Sequence, residues 1–302
     1  MFNRFELFTH LEPATPLFHP RELEELLKLP QNLNHPCHSF YQKQLNELQS
    51  EIESVNLDAL NPLHDKAFNL YFQTGDRLSY EKEYFARRRL LSALSLMSFF
   101  HPQDSHYLES LELLLEYLLL EKTWCLPAHF GDVYGQALSP EEHPYHLDLF
   151  ACETGLALAE ILSLQGNSLS LDLQSRIYLA IETRILDPFM DPKNYFGFEN
   201  SLSNWSAVCA GAIGTLSLHL LDDQGELTKI LHACLSSIDV YLSSFGEDGI
   251  CTEGLSYWTY GFGFFTLFAQ ALYHKTSGKL NLFSFPKVKA IALSQQYQYL
   301  YE

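Results

Sequence analysis

The sequence has little positive charge and no long apolar run. Its 19 lysines and arginines stand against 37 aspartates and glutamates, which gives a formal net charge of −18. Nucleic acids and anionic membrane surfaces attract basic proteins, so we expect no nucleic-acid partner and no membrane partner. The most apolar stretch, residues 110–122, is interrupted by Glu112 and Glu116 and is shorter than the roughly 18 residues of a membrane span.

Close cysteine pairs and a leader-like amino terminus are also missing. The cysteines are widely scattered, so the sequence predicts neither a zinc site nor a disulfide framework, and buried free thiols are expected. Residues 1–16 include Arg4, Glu6 and Glu12 and lack the apolar core of about 7 to 15 residues that a signal peptide has. We therefore expect a soluble, cytoplasmic protein that uses no metal ion and no other cofactor.

Strand-like alternation is absent as well, and helical periodicity fills the sequence instead. From Pro20 onward, apolar residues recur at helical spacing between turn residues, which predicts about eleven helices. Residues 147–162 and 204–221 are apolar or small nearly all round, whereas residues 170–185 and 226–242 are amphipathic. Inner helices that alternate with outer ones predict an all-α fold, an incomplete (α/α) toroid of helical hairpins.

The predicted toroid forms one domain over residues 1–302, with residues 1–60 as an N-terminal helical segment packed on it. The inner helices are expected to be more buried than the helices between them. They begin near residues 145, 205 and 256. The irregular connections before these helices gather at one end of the ring, where loops on a rigid scaffold form a cleft.

One segment, residues 248–265, combines aromatic rings with four glycines in "DGICTEGLSYWTYGFGFF". An ordinary helix avoids this much glycine, because each one costs roughly 1 kcal/mol relative to alanine in a helix interior. Glycine beside rings lets a ligand or another backbone come close. The segment is therefore either a place of close helix packing or a binding surface.

Four motifs carry a family resemblance. In their order and spacing, "WCLPAH", "YHLDLFACETGLALAEIL", "NWSAVCAGAIG" and "DGICTEGLSYWTYGFG" resemble the helical domain of the heparinase II/III-like polysaccharide lyases, and "LFHPRELEEL" fits that family's amino-terminal segment. The resemblance covers most of the chain. It implies an (α/α) toroid and cleavage of a uronic-acid-containing oligo- or polysaccharide by β-elimination. In the family a β-sandwich domain follows and supplies a further catalytic histidine, and this chain contains no such domain.

The resemblance also implies two catalytic residues. Tyr257 takes the position of the catalytic acid/base tyrosine, and Asn204 takes the position of the Asn or His that faces the uronate carboxylate. Removing a proton beside a carboxylate builds a second negative charge, which a neutral donor such as the Asn204 amide stabilises. A tyrosine with its ordinary pKa of about 10 is a weak base without a neighbouring cation.

Six further residues are candidates for substrate binding. The aromatic ones are expected to stack on sugar rings, the histidines to contact substrate from loops or a helix start, and Glu253 to hold Tyr257 or a loop amide in place. These residues are His129, His146, Trp205, Glu253, Trp258 and Tyr260. A structural interpretation stays open for each candidate, since Asn204 is also a good helix N-cap and the aromatic residues are also good core residues.

Two other functions fit the same residues. One is a non-catalytic or truncated carbohydrate-binding toroid. The other is an α/α-barrel glycoside hydrolase, which uses a pair of carboxylates. The possible pairs join Asp248 or Glu253 to Asp132 or Glu153. Because the chain is acidic, we expect a less anionic uronate glycan or a glycan rich in neutral sugars rather than heparin.

The final residues give an expectation about completeness. The helix predicted there crowds apolar side chains near residues 291–301, about where the resembling family continues into its β domain. We expect an exposed apolar patch, a homodimer through it, and little lyase activity of the chain alone.

Overall fold

The computed structural model describes residues 1–57, 60–61, 63, 65–130 and 143–297, and all their regular elements are helical. The all-α prediction is confirmed for these residues. No helix in these ranges is both long and apolar enough to cross a membrane. The α-helices are α1 (Arg4–His10), α2 (Pro20–Lys28), α3 (His38–Glu53), α4 (Asp65–Thr74), α5 (Leu78–Phe100), α6 (Ser105–Leu120), α7 (Leu149–Gln165), α8 (Leu171–Ile181), α9 (Asp187–Met190), α10 (Asn204–Leu220), α11 (Gln224–Ser243), α12 (Leu255–Lys275) and α13 (Pro286–Leu293).

Several helices begin where a polar side chain caps them. Asp148 accepts a 2.7 Å hydrogen bond from the Ala151 N–H at the start of α7, and Asp223 accepts one of 2.7 Å from the Glu226 N–H at the start of α11. Each such cap stabilises a helix by about 1 kcal/mol, because it satisfies an N–H that has no partner within the helix.

The helices pack as two layers. Helices α5, α7, α10 and α12 contact one another in that order, and α6, α8 and α11 lie respectively against α5, α7 and α10. The outer helices α6 and α8 also contact each other. The contacts therefore give a two-layered array of helical hairpins, with α10 in the middle of the inner row.

Small residues in α10 allow this close packing. A Cβ atom on Gly214 would lie 2.5 Å from the ring of Phe268, and one on Gly211 would lie 2.8 Å from the Phe264 carbonyl oxygen. Every residue of α10 from Ser206 to Leu218 is buried. The run of alanine and glycine in α10 thus lets α12 approach its backbone closely.

Burial tests the predicted inner helices one by one. No residue of α7 or α10 is exposed, which confirms both as inner helices. The prediction is wrong for α12, which exposes Leu255, Tyr257, Leu267 and Tyr273 and is more exposed than α11. The reason is its place at the end of the inner row, where α10 covers one face only.

The N-terminal helices lie against this array, α1 on α11 and α3 on α5. Lys275, at the end of α12, is 3 % exposed and donates a 2.7 Å hydrogen bond to the Pro13 carbonyl. Residues before α2 therefore contact the last inner helix.

The predicted apolar patch near residues 291–301 is only partly described, because residues 298–301 lie outside the described residues. Ile291 is buried, its carbonyl accepts a 3.1 Å hydrogen bond from Trp258 Nε1, and Ser294 is buried too. Leu293 is exposed. The beginning of the segment is thus packed against α12 within the monomer, and dimerisation stays a prediction.

Candidate functional site

The N-terminal ends of α7, α10 and α12 lie together. Three contacts show this: His129 bonds to Asp148 just before α7, the same ring touches Trp205 in the first turn of α10, and Asn204 bonds to Glu253 just before α12. Residues from all four motifs of the sequence therefore meet at one end of the inner row.

His129 has a fixed partner. Its Nδ1 lies 2.7 Å from Oδ2 of Asp148, a fully buried carboxylate that also accepts the N–H groups of Leu126 at 3.1 Å and Ala151 at 2.7 Å. A carboxylate only accepts hydrogen bonds, so we assign the imidazole hydrogen to Nδ1. In the neutral ring Nε2 then carries a free lone pair and can accept a proton.

Aromatic rings hold the His129 imidazole in place. The ring stacks on Phe150 with centroids 5.6 Å apart and planes 12° apart, and it meets Trp205 edge to face at 5.0 Å. Phe150 belongs to α7 and Trp205 to α10, so two inner helices fix the imidazole orientation. Trp205 is half-buried, which leaves part of its ring open to solvent.

Asn204 is held by Glu253. Its backbone N–H donates to Glu253 Oε2 at 2.6 Å and its Nδ2 donates to Oε1 at 3.0 Å. Asn204 is 2 % exposed, and its Oδ1 has no hydrogen-bond partner among the described residues. A Cβ on Gly261 would lie 3.1 Å from Asn204 Cβ and 2.8 Å from the Tyr241 hydroxyl, so this glycine permits the close packing. Glu253 thus holds Asn204 at the start of α10, whereas Tyr257 or a loop amide was the expected partner, and its role toward substrate stays a prediction.

Tyr257 lies in the first turn of α12 and is 51 % exposed. Its hydroxyl makes no hydrogen bond to the described residues, and none of the described contacts joins it to Asn204 or His129. Gly254, just before α12, has φ of +94° and open space around it. Tyr257 therefore stands at the same helix end with about half of its surface exposed.

Trp258 and His146 have partners inside the protein. Trp258 Nε1 donates to the Ile291 carbonyl, and its ring lies 5.2 Å from that of Phe262. The ring of His146 lies 5.5 Å from Phe130 and 5.8 Å from Phe196, and burial lowers the pKa of His146. Packing accounts for both residues, and their roles toward substrate stay predictions.

Tyr260 bridges two inner helices. Its hydroxyl donates a hydrogen bond to Oε1 of Glu153, so α12 is joined to α7 beside α10. Burial raises the pKa of Glu153 to about 7, the Tyr260 hydrogen bond opposes this shift, and the charge of Asp148 adds to it. Burial and the Glu153 charge raise the pKa of Tyr260. At neutral pH Glu153 is therefore poised between its two protonation states.

The carboxylates of the hydrolase alternative have separate surroundings. Both oxygens of Glu253 accept hydrogen bonds from Asn204, and Asp248 accepts the Ile250 N–H at 3.1 Å within a turn. Asp132 lies outside the described residues. Among the described carboxylates of this alternative, Glu153 is the one that accepts a hydrogen bond from a tyrosine, Tyr260.

A buried ion pair joins α5 to the segment that precedes His129. Arg88 of α5 donates to both oxygens of Glu121 at 2.8 and 2.7 Å, and its Nε donates to Thr154 of α7 at 3.1 Å. The Tyr84 hydroxyl donates to the Trp124 carbonyl at 2.8 Å. These bonds anchor the segment that leads to His129.

Sequence reasoning missed Asp148 as a site residue, although it precedes an apolar helix and sits two residues after His146. Its only signal was an isolated acid at a helix start, which an N-cap explains equally well. Within the described ranges, no group of three or more His, Cys, Asp or Glu side chains is placed to hold a metal ion. No protein-family model matches the chain, and a search of curated proteins finds no match either.

Proposed function

We propose that this protein is a polysaccharide lyase-like domain that cleaves a uronic-acid-containing glycan by β-elimination. The site lies at the N-terminal ends of α7, α10 and α12. The observation that carries the proposal is the convergence of His129, Asp148, Asn204 and Glu253, which come from four distant motifs and contact one another in pairs.

The chemistry requires a base, an acid and a donor to the carboxylate. His129, held by Asp148, takes the proton from C5 of the uronate through Nε2. The electron pair forms the C4–C5 double bond as the C4–O4 bond breaks, and Tyr257 gives its proton to the departing O4. General acid and base groups of this kind each contribute about 10²- to 10⁴-fold to a rate.

Asn204 is the proposed donor to the uronate carboxylate. One Nδ2 hydrogen bonds to Glu253, and the second makes no bond to the described residues. Because Asn204 is 2 % exposed, substrate contact with this amide requires Glu253 to move aside. Gly254, with its positive φ and open surroundings, is a suitable hinge for that movement.

The two-layered hairpin array supports the finer fold proposal, an incomplete (α/α) toroid. In that fold the loops before the inner helices form the cleft, which agrees with the position of the candidate site. Because His129 supplies a base within this chain, the proposal expects turnover by the chain itself, in place of the low activity expected from the sequence alone. The net charge of −18 favours an unsulfated substrate.

An ultraviolet assay tests the proposal. The chain is incubated with alginate, polygalacturonate, hyaluronan and unsulfated heparosan, and the absorbance of the unsaturated uronate product is followed. We expect a rise with at least one polymer and a fall in kcat/KM of about 100-fold or more in Tyr257→Phe.

Tyr273→Phe is the matched control, because Tyr273 is an exposed tyrosine at the opposite end of the same helix. It should keep wild-type activity. Binding of a polymer without turnover would instead favour the carbohydrate-binding alternative, and cleavage without the chromophore would favour hydrolysis.

A further inference from the structure

The hydrogen bond between Glu153 and Tyr260 joins two helices through polar side chains that are not fully buried. Both side chains are half-buried, Glu153 on α7 and Tyr260 on α12, the two helices that flank the buried α10. One turn beyond Tyr260 on α12, a Cβ added to Gly263 would meet no atom within 4 Å. The pair is therefore partly desolvated but not fully enclosed.

The candidate site is adjacent to this pair. Glu153 follows Phe150 by one helical turn, and Phe150 stacks on the His129 ring. Tyr260 directly precedes Gly261, whose Cβ position lies 3.1 Å from Asn204 Cβ. A glycan seated over His129 and Asn204 would thus extend over Glu153 and Tyr260.

Hydrogen-bond direction within the pair depends on one proton. When Glu153 is ionised it can only accept, so it keeps the Tyr260 hydrogen. When Glu153 is protonated it can donate to the phenol oxygen, and the Tyr260 hydrogen is then free to point toward a ligand. An ionised Glu153 also repels a uronate carboxylate, so both effects favour binding by the protonated pair.

We propose that Glu153 and Tyr260 form a sugar-binding pair in which protonation of Glu153 releases the Tyr260 hydroxyl to a uronate-containing glycan. The substrate class rests on the proposed function, but the pair would act in a binding protein as well as in a lyase. Glycan affinity should then fall as the pH rises through the titration of Glu153, whose pKa burial raises to about 7.

Two further titratable groups, Asp148 and Cys209, act on the pair. Asp148, at the start of the same helix, contributes negative charge and is itself bonded to His129. From α10 the buried Cys209 faces Tyr260, and burial raises the pKa of this thiol well above its usual value, so it stays neutral.

Calorimetric titration tests the pair without turnover. The protein carries Tyr257→Phe and His129→Gln, so that no imidazole charge at position 129 affects binding, and the probe is an unsulfated glucuronate tetrasaccharide, titrated at about pH 5.5 and about pH 8.5. We expect the affinity to fall about tenfold or more at the higher pH. Adding Glu153→Gln should remove this dependence, and adding Tyr260→Phe should lower the affinity at the lower pH.

Glu160→Gln is the matched control, because Glu160 lies two turns further on the same face of α7 and burial raises its pKa too. It should keep the pH dependence. Persistence of the dependence in Glu153→Gln, or its loss in Glu160→Gln, overturns the proposal.

A second measurement needs no ligand. In protein with ¹³C-labelled glutamate carboxyls, the signal that is lost in Glu153→Gln should titrate near pH 7 and move to higher pH in Tyr260→Phe, since the tyrosine hydrogen bond lowers this pKa. Titration of the Glu153 signal at an ordinary glutamate pKa overturns the proposed role of the pair. Absence of tetrasaccharide binding at both pH values, or binding that does not depend on pH, overturns the proposed role of the pair, whereas failure of the proposed function shows as the absence of an unsaturated product from all four polymers.

Discussion

At the scale of single residues, Asp148 is the group on which the site depends most. It is fully buried, and its two oxygens accept hydrogen bonds from two backbone N–H groups while Oδ2 also holds His129. One carboxylate thus starts α7 and orients an imidazole, so the fold and the proposed chemistry share this residue.

Asp148→Asn separates the role of Asp148 as the cap of α7 from its role as the partner of His129. Asparagine caps a helix as well as aspartate does, so Oδ1 can keep the Ala151 bond. The amide NH₂ would then face the Leu126 N–H and the His129 Nδ1 hydrogen, which forces the imidazole into the other tautomer. We expect kcat to fall by about 100-fold or more in the ultraviolet assay. Wild-type kcat in this variant would show that His129 does not act through Asp148.

Glu153 makes stability depend on pH. Its pKa is raised from 4.5 to about 7 in the folded protein. As the pH rises, the unfolded chain ionises this carboxyl first, so the folded state loses stability between about pH 4.5 and pH 7. We expect Glu153→Gln to be more stable than the wild type by about 1–3 kcal/mol at pH 8, with the difference vanishing near pH 4.5. Urea unfolding at both pH values measures this, and an equal difference at both would contradict the assigned shift.

At the scale of elements, α10 and α12 pack so closely that glycine is required where they meet. Gly214→Ala places a methyl group 2.5 Å from the Phe268 ring, and such overpacking costs about 1–3 kcal/mol. Gly263→Ala is the control, because its Cβ meets no atom within 4 Å and alanine favours a helix by about 1 kcal/mol. We expect the first variant to lower and the second to raise the free energy of unfolding. Equal effects would show that packing does not set the glycine requirement.

The sequence predicted the elements better than the contacts between them. The texture of α7 and α10, apolar or small on every side, correctly marked them as inner helices. The aromatic residues of α12 look equally apolar, but the end of a row leaves one face open, and a single sequence does not report its neighbours. Glu153 and Tyr260 are 107 residues apart, and no local pattern indicates their pairing.

At the scale of the whole molecule, the buried ion pair of Arg88 with Glu121 joins α5 to the segment that leads to His129. Removing one partner from the Arg88–Glu121 pair leaves a buried charge, which costs about 3–5 kcal/mol. Arg88→Met should therefore lower the free energy of unfolding by about that amount. The exposed pair of Arg176 with Glu116, between α8 and α6, is the control, and Arg176→Met should leave the free energy of unfolding nearly unchanged, since solvent screens this pair. Denaturant unfolding of both variants measures the contrast, and similar losses would contradict the supporting role of Arg88.

The proposed reaction is β-elimination at the N-terminal ends of α7, α10 and α12. Mass spectrometry of the products from the polymer cleaved by the wild type tests it most directly. We predict fragments with an unsaturated non-reducing end, each lighter by one water than the corresponding hydrolysis product, and none above background from His129→Gln. Fragments of the hydrolysis mass, or unsaturated fragments formed equally well by His129→Gln, would contradict the account.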